Sequence, residues 1–193
     1  MGRGADRQSA LGATVQLGRF QIEIRWSWVT LLAAYAVAGS VTALAGGHVD
    51  LGGRAGIVAN AAAFTVLALA AALFHELGHA LAGLAFHRRP LRLVLKAGAA
   101  MQIEGAREGS RGDTAAAESL VALSGPIASG LIGLAYFNVS TSFATPFAWA
   151  GLLALVDALV NLVPGVARSD GDRVLHAFTD PPSPTQPAGP AGG

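Results

Sequence analysis

The sequence predicts an all-α polytopic membrane protein: about four transmembrane helices with a small β-sheet on the cytoplasmic face. Three observations predict it. The 193 residues are 52% hydrophobic and only 13% charged, and the mean hydropathy is +0.49, too apolar for an ordinary soluble domain. Several uncharged runs reach the roughly 20 residues that a helix needs to cross a bilayer core. Lys and Arg gather on one side of those runs, as the positive-inside rule requires of a membrane protein.

The first span lies near 26–47. Trp26 to Gly47 is uncharged, and Trp26 and Trp28 suit the interfacial aromatic belt. The second lies near 55–86 and begins with 20 uncharged residues, Ala55 to Phe74. No charge occurs from Ser119 to Val156, which is too long for one helix. The polar, proline-containing stretch from Asn138 to Pro146 divides it into spans near 119–137 and 145–163. Of the 13 Lys and Arg residues, only Arg54 falls between spans one and two, and none falls between three and four. The other 12 precede span one, join spans two and three, or follow span four, so both termini are expected in the cytoplasm. Phe20–Arg25 alternates apolar and polar residues, and Leu91–Leu95 and Ala99–Glu104 flank a Gly-containing turn, so a small sheet is expected there. Residues 179–193 are Pro/Gly-rich and expected to be disordered. Residues 1–17 are expected to form a flexible cytoplasmic N-terminus, without the short apolar core of a cleaved signal peptide.

Composition also excludes classes. A net charge of +1 and the lack of basic–aromatic interleaving give no reason to expect nucleic acid binding. There are no cysteines, so disulfides and thiolate metal ligands are ruled out, and any zinc must use His and carboxylate. Lys96 is the one lysine beside 12 arginines; with the wealth of Ala and Gly, this reads as GC-rich coding and a bacterial source.

The chemistry lies in Phe74-His75-Glu76-Leu77-Gly78-His79-Ala80, within the second span. His-Glu-x-x-His on a helix places two imidazoles one turn apart on one face, able to share a zinc ion, with a carboxylate beside them as general base. Ionisable groups at membrane depth are costly and functional by default. Two histidines leave a catalytic zinc one protein ligand short of three. Asp170, just beyond span four, is the best candidate. Pro164 turns the chain there, Gly171 permits close backbone approach, and the ends of spans two and four face the same side. Asp172 competes with it, because nothing local excludes that residue.

Together these residues resemble the site-2 proteases, a family of intramembrane zinc metalloproteases. The resemblance covers about Gly18 to Leu175. It rests on Ile22-x-Ile24-x-Trp26, on His75-Glu76-x-x-His79-Ala80, on Ser124-Gly125-Pro126, and on Asn161-x-x-Pro164 followed by Asp170-Gly171 and Arg173-Val174-Leu175. It implies a membrane-embedded protease domain over residues 18–178, with one Zn2+ per chain held by His75, His79 and Asp170. Glu76 would activate water, and Asn161 would bind the substrate backbone or the developing oxyanion. The Ala99–Glu104 strand would pair with an unwound substrate. Substrates would be transmembrane proteins, among them anti-sigma factors or membrane-tethered regulators, met within the lipid of the cell membrane.

The chain departs from the family pattern at several points. Ser129 stands where Asn is usual, and the segment from Pro164 to Asp170 is one residue longer. Arg168-Ser169 replaces Pro-Leu, and Asp172 replaces Gly. These departures support an alternative, a catalytically impaired relative that binds transmembrane helices or metal without cleavage. Asp157, Ser129 and Asp172 are expected to support the metal ligands from behind. Asn60 is expected to bond between helices, whereas His48, His87 and His176 are expected outside the site. Gly78, Gly125 and Gly130 are expected to serve helix packing.

Overall fold

Strand alternation and long apolar runs build two layers, a sheet and a helical bundle. The computed structural model describes residues 12–17, 20–45, 53–86, 88–96, 100–107, 115–140, 142–143, 145–166 and 169–179. Its elements are β1 (Gly12–Leu17), β2 (Phe20–Arg25), α1 (Trp26–Ala45), α2 (Gly53–Ala85), β3 (Arg88–Lys96), β4 (Ala100–Arg107), α3 (Ala115–Val139), α4 (Pro146–Leu162) and α5 (Asp170–Thr179). The sequence positions expected for the C-terminal tail beyond Thr179, and those of His48 and His87, lie outside the described residues.

The sheet has the order β1-β2-β3-β4. β1 and β2 are antiparallel with Leu17 opposite Phe20, a register that two intervening residues can close. β2 and β3 are parallel, joined through α1 and α2, while β3 and β4 form an antiparallel hairpin. Pro90 falls in β3 before its pairing with β2 begins at Arg92, where a missing N–H removes no ladder bond to β2. The register shifts between Pro90 and Arg92. Sequence reading anticipates β2, β3 and β4 but assigns residues 12–17 to a flexible N-terminus. They form β1 instead. Ala13, Val15 and Leu17 alternate with Thr14 and Gln16, a period-two pattern that Gly18-Arg19 connects to β2.

In the bundle, α1, α2 and α3 are long and apolar enough to cross a membrane, and α4 is a shorter apolar helix of 17 residues. The helices thus match the four expected spans in position, but only three reach the usual crossing length. α2 packs against α1, α3 and α4, and α3 lies along α4. The core is made of Phe64, Ala68 and Ala71 of α2, Tyr136 of α3, and Ala150 and Ala154 of α4. With little side-chain bulk at the crossings, backbones come close. A Cβ on Gly39 would lie 2.7 Å from Ala61 Cα, and one on Gly151 would lie 2.9 Å from Gly133 O. Polar groups add bonds between helices. Asn60 Nδ2 donates to Gly39 O at 2.7 Å, the interhelical role expected for it, and Tyr136 donates to Leu67 O at 3.1 Å.

The ends of the bundle set the site. Thr145 caps α4, its hydroxyl accepting from Ala148 N at 3.3 Å, with Pro146 at the first helical position. α4 stops at Leu162 ahead of Pro164, and Gly165 turns the chain with φ +86°. The sheet packs against α2 and α1, at the end of the bundle to which α2 delivers its C-terminus. His75 lies ten residues before that C-terminus, about 15 Å along the axis. The α3–α4 crossing predicts that Gly151→Ala forces the two backbones apart. It should cost about 1–3 kcal/mol, as overpacking does, and lower the thermal midpoint of the detergent-purified protein.

Candidate metal centre

His75 and His79 stand one turn apart on α2, and their Nε2 atoms are 3.1 Å apart. Asp170, the first residue of α5, places Oδ2 at 3.2 Å from both. The three donor atoms form a nearly equilateral triangle, and these residues are the group among the described ones that can hold a metal ion. His75 and Asp170 are buried, and His79 is partly so.

Hydrogen bonds behind the histidines fix which nitrogen faces the triangle. His79 Nδ1 is 2.7 Å from Val121 O. A carbonyl only accepts, so Nδ1 carries the proton and a neutral His79 presents a bare Nε2 lone pair. His75 Nδ1 lies 3.2 Å from Ser129 Oγ and 3.4 Å from Asp157 Oδ2. Ser129 is placed to give its proton to Gly125 O or Pro126 O, which leaves its oxygen to accept from His75. Asp157 can also only accept when ionised. Both histidines are therefore oriented as metal-binding imidazoles usually are, by an acceptor on the far nitrogen.

Two imidazole lone pairs and a carboxylate oxygen repel one another unless a cation lies among them. Donors about 2.0–2.2 Å from a tetrahedral zinc stand roughly 3.3–3.5 Å apart, within a few tenths of an ångström of the observed spacing. The donor chemistry, two nitrogens and one oxygen with no sulfur, suits zinc with one position left for water or substrate. Where an imidazole instead carries its proton on Nε2, burial raises the Asp170 carboxyl, but hydrogen bonding to His75 and His79 outweighs this and holds it below the usual carboxylate range.

Local sequence explains how Asp170 arrives. Ser169 caps α5, its hydroxyl accepting from Asp172 N at 3.0 Å and donating to Val163 O at 2.9 Å. The capped turn is thereby tied to the end of α4. A Cβ on Gly171 would run into the Leu162 carbonyl and come within 3.0 Å of Pro164 N, so only glycine lets α5 begin this close to α4. Gly125 has a comparable part. A Cβ there would collide with His79 Nε2 and stand 2.8 Å from His75 Nε2, within the triangle's own space.

The remaining expected site residues are distributed around this triangle. Ser129 and Asp157 support His75 as described. Asp172 does not join them: its carboxylate faces His176 at 3.7 Å along α5, and its backbone N–H serves the cap. Glu76 follows His75 on α2 and projects about 100° round the helix from it. Asn161 turns its amide toward Asp157, donating from Nδ2 to Oδ1 and to the backbone oxygen, both at 3.1 Å. Three contributors escape sequence reading. Val121 acts through its carbonyl, which no side-chain pattern reveals. Arg173 sits three residues after Asp170, a spacing that does signal a helical pair. Glu118, which Arg173 also binds, is distant in sequence and carries no local signal.

The chain is similar in structure to the Site-2 Protease from Methanocaldococcus jannaschii, with a TM-score of 0.57 and 16% sequence identity over 86% of this chain and 71% of that one. At this identity the similarity is one of fold. No family model and no curated protein matches the sequence. The geometry predicts that detergent-purified protein binds about one zinc per chain by elemental analysis. Asp170→Ala and Gly125→Ala should lose that zinc, and Asp172→Ala should retain it.

Proposed function

We propose that this chain is an intramembrane zinc metalloprotease that hydrolyses peptide bonds of membrane-spanning regulatory proteins. The observation that carries the reading is the triangle of His75 Nε2, His79 Nε2 and Asp170 Oδ2, whose two histidines lie on a helix that also bears Glu76. Three apolar helices and the shared fold with a site-2 protease support the membrane setting. So does the outer surface of the bundle, where Val37, Val58, Val66, Leu81, Leu131 and Leu159 are each more than 60% exposed, an apolar surface suited to lipid rather than water. The distribution of Lys and Arg supports a cytoplasmic position for both termini.

Zinc held by His75, His79 and Asp170 would supply Lewis acidity, lowering the pKa of water and polarising a peptide carbonyl. The chain's own residues do the rest. Glu76 accepts the proton of the attacking water and passes it to the departing amine. Val121 O, Ser129 and Asp157 keep the imidazole protons on the side away from the ion. Asn161, one turn beyond Asp157 on α4, would meet the developing oxyanion with its amide on release from Asp157. β4 is the edge strand that packs against α2. It offers unpaired backbone to a substrate that has locally unwound, which a helical substrate must do before its carbonyl can be attacked.

The departures that suggest a catalytically impaired relative have physical roles here. Ser129 bonds His75, and Ser169 caps the helix that delivers Asp170, so no specific observation favours loss of activity.

Two results test this reading. Glu76→Gln should keep its zinc but cleave an unstructured protein such as casein, and a panel of single-span peptides in detergent, about 10²–10⁴-fold more slowly, the usual contribution of a general base. Equal loss of zinc and activity would instead make Glu76 a structural residue. Because the native chain lacks cysteine, Ser183→Cys and His48→Cys are unique labels. An impermeant thiol reagent should reach Cys at 183 only from the cytoplasmic face and Cys at 48 only from the opposite face.

A further inference from the structure

Asp170 divides its two carboxylate oxygens between different partners. Oδ2 faces both histidine nitrogens at 3.2 Å. Oδ1 accepts from Arg173 Nη1 at 3.3 Å. The same guanidinium donates through Nη2 to Glu118 Oε1 at 3.0 Å, and Glu118 belongs to the first turn of α3. Arg173 therefore spans from α5 to α3 and ends on the oxygen of the proposed metal ligand that lies outside the donor triangle. The carboxylate is almost wholly buried, while the guanidinium is partly exposed. The bond is thus shielded at the end that matters for Asp170.

We infer that Arg173, anchored by Glu118, is a positioning residue that restricts Asp170 to one ligand oxygen and so keeps a coordination position open. This rests on the metalloprotease reading. A carboxylate can bind a divalent ion through one oxygen or two, and a second oxygen would occupy the place that a catalytic zinc leaves for water or substrate. A charge-assisted hydrogen bond to Oδ1 opposes that swing. Arginine suits the task because its planar fork carries separate donors for two carboxylates, which a lysine ammonium on a flexible stem would not hold in one fixed geometry. Glu118 also offsets the guanidinium charge, which would otherwise stand close to a bound cation without compensation. The same link fastens α5 to α3, independently of the Ser169 cap on the α4 side.

Cobalt substitution of the full chain in detergent tests the inference, because the visible absorption of Co2+ weakens as its coordination number rises. Wild type should give the intense bands of a four-coordinate ion. Arg173→Met should bind cobalt with absorptivity per bound ion reduced several-fold, as Asp170 Oδ1 adds a fifth donor, and should bind added azide several-fold more weakly, since that donor competes for the open position. Glu118→Ala, which alters no group touching the ligands, should shift both readouts in the same direction by less and provides the test should Arg173→Met not fold. A merely structural role for the pair would lower occupancy but leave the spectrum per bound ion unchanged. That result in both variants overturns the inference and leaves the metal site standing. A wild type that takes up neither cobalt nor zinc overturns the metalloprotease reading and this inference with it.

Discussion

Three electron-rich atoms held 3.1–3.2 Å from one another are the constraint on which the rest of this structure depends. Without a cation between them, two lone pairs and a carboxylate oxygen repel, and in a weakly polar bundle the repulsion is poorly screened. The surrounding groups are arranged to prevent the imidazoles from turning away. Val121 O holds His79 by its far nitrogen, and Ser129 and Asp157 hold His75 in the same way. On the third side, Ser169 and Gly171 fix where α5 begins. Such a site would be prepared for an ion in advance, so metal affinity would not be spent on reorganising ligands.

Preparation of this kind needs backbone close to backbone. Gly125 puts α3 directly against the histidine nitrogens, and Gly78 lets Ser124 O approach α2 one turn away. These glycines therefore shape the candidate metal site as well as the packing between α2 and α3. The α1–α2 and α3–α4 crossings use Gly39, Gly133 and Gly151 in the same manner but away from the site. The bundle gains contact through small residues, and its large apolar side chains are left to face outward, the arrangement expected where lipid rather than water surrounds the helices.

Much of this was legible in the sequence because it is local. Helical spacing alone sets His75 and His79 on one face, and uncharged length marks out α1, α2 and α3. Alternation marks β2, β3 and β4, and the same signal in Ala13–Leu17 marks β1. Asp170 was legible only as a choice against Asp172. What decides between them is the Ser169 cap, which starts α5 at Asp170 and directs Asp172 along the helix toward His176. The Val121 carbonyl and the Glu118–Arg173 link were not legible, since one is backbone and the other joins residues that only the folded chain brings together. The one-residue extension between Pro164 and Asp170 reads as a fault in the sequence, yet it ends on the serine that caps α5.

The account turns on a single ion held by two imidazoles and one carboxylate. Zinc K-edge X-ray absorption on the wild-type protein tests this most directly. It should give a light-atom shell of about four nitrogen and oxygen neighbours near 2.0–2.1 Å, with outer-shell scattering that requires two imidazoles. A protein that takes up no zinc, or a zinc whose outer shell requires no imidazole, would contradict the account at its centre.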